Sequence, residues 1–140
     1  RAVSFSLLNS NVKGIKIQGR NNIKVKSLQN WINGLYPNNC RFTIADIIIN
    51  CTPLGMYPKV EDLPIKINKL DKEKIIIDTI YNPLETKWLF EGKKIGLKTV
   101  GGLDMFIAQG IVSVEKWFNK KIFDKLDLEA IRKKLRKKLC

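Results

Sequence analysis

The sequence predicts an α/β fold built on a parallel sheet, and three observations carry that prediction. Two short apolar runs of β-branched residues, Ile47–Ile49 and Ile75–Ile77, end in loop-forming residues such as Pro53, Gly55 and Pro83, the pattern of strands buried on both faces. Around them lie segments whose apolar residues recur every three or four positions, as in amphipathic helices. The two kinds of segment alternate along the chain, as a parallel sheet with helical crossovers requires.

Taken in order, residues 1–10 are expected to form a helix with Val3, Leu7 and Leu8 on one face, closed by Asn11 and Gly14. Gly14 to Gln18 alternates apolar and polar residues, a short strand over 15–18, and Gly19-Arg20-Asn21-Asn22 has the composition of a turn. Residues 23–34 read as a second helix with Val25, Leu28, Trp31 and Ile32 on one face, ended by Gly34, Pro37, Asn38 and Asn39. A short strand is expected near Cys40 to Thr43, then a strand at 46–50 and a long loop at 51–66, with a short turn beginning near Asp62. A strand at 74–78 leads to a helix at 84–91, its first turn marked by Pro83 and its end by Gly92 and Gly96. The last strand is 97–100, and the longest helix is 103–120, with Phe106, Ile107, Ile111, Val114 and Phe118 as its apolar stripe. The tail carries Arg132-Lys133-Lys134 and Arg136-Lys137-Lys138 around a stripe of Leu128, Ile131, Leu135 and Leu139. The expected organisation is a domain over 1–120 with a basic helix at 121–140 packed on it.

With 140 residues the chain suffices for one domain with a real core. It has no apolar run near the ~20 residues of a membrane span and no signal-peptide pattern. Three cysteines without a CxxC pair, and no histidine, fit reduced thiols in a cytoplasm better than a disulfide framework or a zinc site. Cys51 reads as a small buried thiol, since no histidine exists to activate it. The net charge of +13 attracts phosphates of any kind.

Three motifs narrow the reading: Asn50-x-Thr52-Pro53-Leu54-Gly55-Met56, Asp78-x-x-Tyr81-Asn82-Pro83-x-x-Thr86, and Gly101-Gly102-Leu103-x-Met105-x-x-x-Gln109. In this order and at this spacing they resemble the cofactor-binding half of shikimate dehydrogenase, over about residues 1–120. The resemblance implies a Rossmann-like NADP-binding domain, with 3-dehydroshikimate and shikimate as small-molecule substrates. It also implies that the chain lacks the first strand and the Gly-rich loop, and the family's N-terminal domain with its catalytic Lys and Asp. No lysine here matches that motif. The sequence is therefore expected to be a piece of a longer polypeptide, inactive or nearly so alone, with long apolar edges on its sheet.

The resemblance also assigns residues. Arg20 and Lys24, with Asn21 as a donor, follow the strand at 15–18, where a basic residue accommodates the 2′-phosphate of NADP and an acid would select NAD. Gly19 stands where the family has Asn. Thr52 lines the nicotinamide-ribose side, with Asn50 shaping the strand end. Thr79 offers its backbone to the nicotinamide amide, and Asp78 fixes the strand end. Gly102 and Met105 lie beside the nicotinamide, and Asp104, where the family has Gly, puts a negative charge near the cofactor. Tyr81 and Gln109 face the substrate, Gln109 as a lone amide among Leu103, Phe106, Ile107 and Ala108. Two other readings stay open: a quinate-using relative, and a basic module that binds nucleic acid without catalysis. No nucleic-acid motif is recognised, no membrane or nucleic-acid partner is expected, and a homodimer stays open.

Overall fold

The two isoleucine runs become neighbouring strands of one sheet. In the computed structural model, which describes residues 1–10, 12–37 and 45–139, β1 (Ile47–Asn50), β2 (Ile75–Asp78) and β3 (Lys98–Val100) pair in parallel in that order. Ile48 lies opposite Ile76, and Ile76 opposite Thr99. The α/β reading and the parallel sheet are thus observed. Burial on both faces is reached at Ile76, which is fully buried, and not at Ile47, which is 44% exposed at the start of β1.

The chain divides into two compact units, Arg1–Ala45 and Asp46–Cys140. In the second, the crossover from β2 to β3 is α3 (Lys87–Lys94). Trp88 and Leu89 of α3 form a buried core with Ile67, Ile76 and Leu97. Gly92 sits against β2, where a Cβ would lie 2.5 Å from Cδ1 of Ile76. Gly96 then turns the chain at φ +89, which an L side chain rarely adopts. The helix starts three residues later than Pro83 suggested. Pro83 lies in the preceding loop after a cis peptide bond, and the true start is set by Thr86, whose hydroxyl accepts from Leu89 N as an N-cap.

Next come α4 (Leu103–Phe118) and α5 (Leu128–Leu139). Leu103, Ile107 and Ile111 of α4 are buried, and the predicted tail stripe of Leu128, Ile131, Leu135 and Leu139 packs on them together with Leu84, Ile122 and Leu126. Phe118 does not join the stripe; it is 68% exposed, because α4 ends there and Asn119 turns left-handed at φ 48. The link to α5 is held by Glu115. Its Oε1 accepts from Ile122 N at 2.7 Å and Phe123 N at 3.0 Å.

The first unit contains α1 (Ala2–Leu8) and α2 (Asn22–Leu35). The α2 face holds Val25, Leu28 and Trp31, half-buried, and Ile32, fully buried. The strand expected at 15–18 is not seen; among the described residues those positions pair with no strand. The side chain of Gln29 bonds this segment: Ile17 N donates to Gln29 Oε1 at 3.3 Å, and Gln29 Nε2 donates to Ile15 O at 3.4 Å. The strand expected near 40–43, and the stop signals at Asn11, Asn38 and Asn39, lie outside the described residues.

Candidate functional site

Parallel strands place ligands beyond their carboxyl ends, and here β1 and β2 end in register at Asn50 and Asp78. Both side chains are polar and buried, and Thr86, also fully buried, joins them. Asp78 Oδ1 accepts from Asn50 Nδ2 at 3.1 Å and from Ile80 N at 3.0 Å, while Oδ2 accepts from Thr86 Oγ1 at 2.8 Å. Asn50 Nδ2 also donates to Leu54 O at 3.1 Å, and Asn50 Oδ1 accepts from Thr52 N at 3.0 Å and Thr52 Oγ1 at 2.7 Å. Thr52 Oγ1 in turn accepts from Leu54 N at 3.2 Å. Asp78 and Asn50 therefore fix both strand ends, the start of α3 and the loop after β1. Buried polar groups demand such partners. Thr86 is the member that the sequence reading left without a role; a threonine three residues before Leu89, at the head of an apolar helix, was the available signal.

Over this network opens a cleft of about 400 Å³, lined by Thr52, Pro53, Met56, Tyr57, Thr79, Ile80, Tyr81 and Asn82. Three of the predicted site residues, Thr52, Thr79 and Tyr81, thus meet in one concavity. The Thr79 hydroxyl donates to Asn50 O at 2.9 Å. Tyr81 stacks on Phe106 of α4, centroids 4.2 Å apart and planes 23° from parallel. Gly102 N donates to Ile80 O at 3.1 Å. A Cβ on Gly102 would stand 2.4 Å from Thr79 O and 2.6 Å from Ile80 O, so this closeness to the strand end admits only glycine. The first turn of α4 therefore rests on the cleft wall.

Met105 is on that turn, 47% exposed. Gln109 differs from the expectation of a buried amide: it is exposed, and its Nε2 donates to Phe106 O of its own helix at 3.0 Å. Neither lines the cleft. Asp104 is paired rather than bare. Arg132 of α5 donates from Nε to Asp104 Oδ1 at 2.7 Å, and from Nη1 to Glu129 Oε2 at 3.0 Å. Cys51 is exposed, not buried: β1 turns the side chain of Asn50 inward and leaves the next residue outside. Partial desolvation still raises its thiol above the ordinary value, which keeps it protonated and poorly nucleophilic at neutral pH.

Arg20, Asn21 and Lys24 belong to the first unit and are all exposed. Asn21 caps α2, its Oδ1 accepting from Lys24 N at 3.0 Å, so its amide nitrogen is the donor left for a ligand. A second concavity of about 490 Å³, with Leu63, Ile67, Ile95, Lys66 and Lys94 in its lining, holds none of the predicted residues. Among the described residues no cluster of three His, Cys, Asp or Glu could hold a metal ion, and no helix is long and apolar enough to cross a membrane.

No protein-family model matches the chain. The likeness to individual proteins is clear. The NADP(+) shikimate dehydrogenase of Methanococcus maripaludis is 42% identical over 130 residues, which cover 84% of this chain and 45% of that protein. Among solved structures, a chorismate mutase/shikimate 5-dehydrogenase fusion from Clostridium acetobutylicum is 32% identical at TM-score 0.73, covering 99% of this chain and 49% of that one. A shikimate dehydrogenase in complex with NADP+ is 36% identical at TM-score 0.63, covering 71% of this chain and 39% of that one. The resemblance read from three motifs therefore extends over most of the sequence and over the Rossmann-like fold. The chain spans about half the length of the curated relatives it matches.

Proposed function

We propose that this chain is the cofactor-binding part of a shikimate dehydrogenase, an oxidoreductase that reduces 3-dehydroshikimate to shikimate with NADPH in the biosynthesis of aromatic amino acids. The observation that carries the reading is the cleft beyond β1 and β2, where Thr52, Thr79 and Tyr81 from two separated motifs come together. The residues fit a nicotinamide there: the cleft sets the apolar Met56 and Ile80 beside the polar Thr52 and Tyr81, and the Thr79 backbone offers an acceptor for a carboxamide N–H.

When bound, NADPH would supply the hydride that adds to the substrate's C3 carbonyl carbon. The chain's own residues bind and orient. Thr52, held by Asn50, forms the ribose-side wall. Thr79 accepts from the carboxamide, and Met105 lays its thioether beside the ring. The Tyr81 hydroxyl and the Gln109 amide bond hydroxyls of the substrate ring; for Gln109 this means exchanging its bond to Phe106 O. Arg20, Asn21 and Lys24 hold the adenosine 2′-phosphate, the guanidinium fork of Arg20 matching its oxygens. The proton is handled by a Lys and an Asp outside these 140 residues, which is why the chain alone is expected to be inactive. The remaining parts of the reading are a cytoplasmic protein and no nucleic-acid partner, with a homodimer left open; a DNA titration and light scattering check the last two.

Calorimetric titration of the chain with NADP+ and, separately, NAD+ tests the reading. Saturable binding with preference for NADP+ is expected, and Arg20→Ala should weaken NADP+ far more than NAD+. Equal losses for the two would remove the phosphate role of Arg20, and no binding of either dinucleotide by a cooperatively folded sample would count against the reading for this chain.

A further inference from the structure

The first turn of α4 carries one acid, and α5 answers it. Gly102 bonds Ile80, and Phe106 stacks on Tyr81, so the turn that contains Asp104 lies against two residues of the cleft wall. Arg132 meets the Asp104 carboxylate at 2.7 Å, the two side chains being 31% and 68% exposed. A carboxylate in a first helical turn is already favoured by the helix dipole, and an exposed ion pair adds little to stability. What the pair changes is the local charge beside the cleft.

We propose that Arg132 is a positioning residue that sets, through Asp104, the relative affinity of this cleft for the reduced and oxidised dinucleotide. The inference rests on the reading above, in which the nicotinamide lies beside Gly102 and Met105. NADP+ and NADPH share their phosphates and differ by one positive charge on the ring. A bare carboxylate near the ring favours the cationic form, by Coulomb attraction across a partly aqueous gap. Arg132 cancels that preference, so the pair tilts binding towards NADPH, the form that reduction consumes. Glu129, the second carboxylate on Arg132 at 3.0 Å, holds the guanidinium between the two acids.

Equilibrium titrations with NADPH, followed by its fluorescence, and with NADP+ by competition, test this on the chain and on Arg132→Gln, Asp104→Asn, the double variant and Arg132→Lys. The ratio Kd(NADPH)/Kd(NADP+) should rise roughly 2- to 5-fold in Arg132→Gln, at the charge separations of a helix turn. It should fall below the wild-type ratio in Asp104→Asn, and return near it in the double variant and in Arg132→Lys. A change of both affinities by the same factor in Arg132→Gln, or a ratio in Asp104→Asn at or above the wild-type value, would overturn the inference and leave the pair a purely structural contact. Wild-type binding with an unmoved ratio removes this inference alone. A folded wild-type chain that binds neither dinucleotide removes it together with the reading it rests on.

Discussion

Gly102 is a glycine for steric reasons. Its φ is −77, open to any residue, but its Cα lies so close to the strand end that a methyl would meet two backbone carbonyls. Those carbonyls cannot swing aside as a side chain tip can. Gly102→Ala should therefore destabilise the chain by about 1–3 kcal/mol, the range of overpacking, measured by urea unfolding, and open the cleft at Thr79. Thr86 is demanding in another way. Thr86→Val keeps the shape but takes a donor from the buried Asp78 carboxylate and the cap from Leu89 N. It should cost about 2–3 kcal/mol, whereas Thr86→Ser should retain most of the stability; equal losses in the two would show that the methyl, not the hydroxyl, matters. Residue identities at the strand ends were legible, because Asn50, Thr52, Thr79 and Tyr81 stand in a fixed order after apolar runs. Which of them bond one another was not: the Asn50–Asp78 contact joins residues 28 apart, and no local pattern announces it. Gln109 shows the converse. Its apolar neighbours in sequence lie on other faces of the helix, so a polar residue among them need not be buried.

The connection from α4 to α5 depends on one carboxylate. Glu115 is 8% exposed, and the N–H groups of Phe123 and then Ile122 hold its pKa below the ordinary carboxylate range, against the opposing effect of desolvation and with help from Lys121. The sign follows: a depressed folded-state pKa gives stabilisation that is complete above the unfolded value of about 4.3 and is lost as pH falls through the lower folded value. Hydrogen exchange of the α5 amides should thus separate wild type from Glu115→Gln at pH 6, with the gap closing towards pH 3. A constant gap would place the effect elsewhere. Helices with a clean apolar stripe were legible, as α2 and α5 show, because burial of one face is a periodic signal. The segment at 15–18 pairs with no strand among the described residues, because alternation reports an extended backbone and says nothing of a partner; there Gln29 bonds Ile15 and Ile17. The start of α3 was misread because proline suits a first helical turn and a preceding loop alike, and the capping hydroxyl of Thr86 decided between them.

For the molecule as a whole the largest electrostatic fact is the +13 charge. It draws phosphorylated ligands without discriminating among them, so affinity alone is a poor measure of a built site. Preference is a better one. NADP+ has more negative charge than NAD+, and its binding should weaken more as salt rises from about 0.05 to 0.5 M, since the Debye length shrinks several-fold. A preference for NADP+ that survives at the upper end would come from short-range contacts such as those proposed for Arg20, while one that vanishes would come from bulk charge. The family was legible from three motifs because each marks a strand end or helix start of a shared architecture. That the sheet is parallel could be drawn from the alternation of segments, while the Asp104–Arg132 pair could not, since it depends on how α5 lies across α4.

Cys51 stands exposed between the buried Asn50 and Thr52 on the cleft wall. Its raised thiol pKa makes it slow towards alkylating reagents at neutral pH and progressively faster in mild alkali. That combination turns an inert residue into a clock: the rate of its modification, followed by peptide mass spectrometry, records whether the cleft beside it is empty, and any molecule that settles there would be read as lost time.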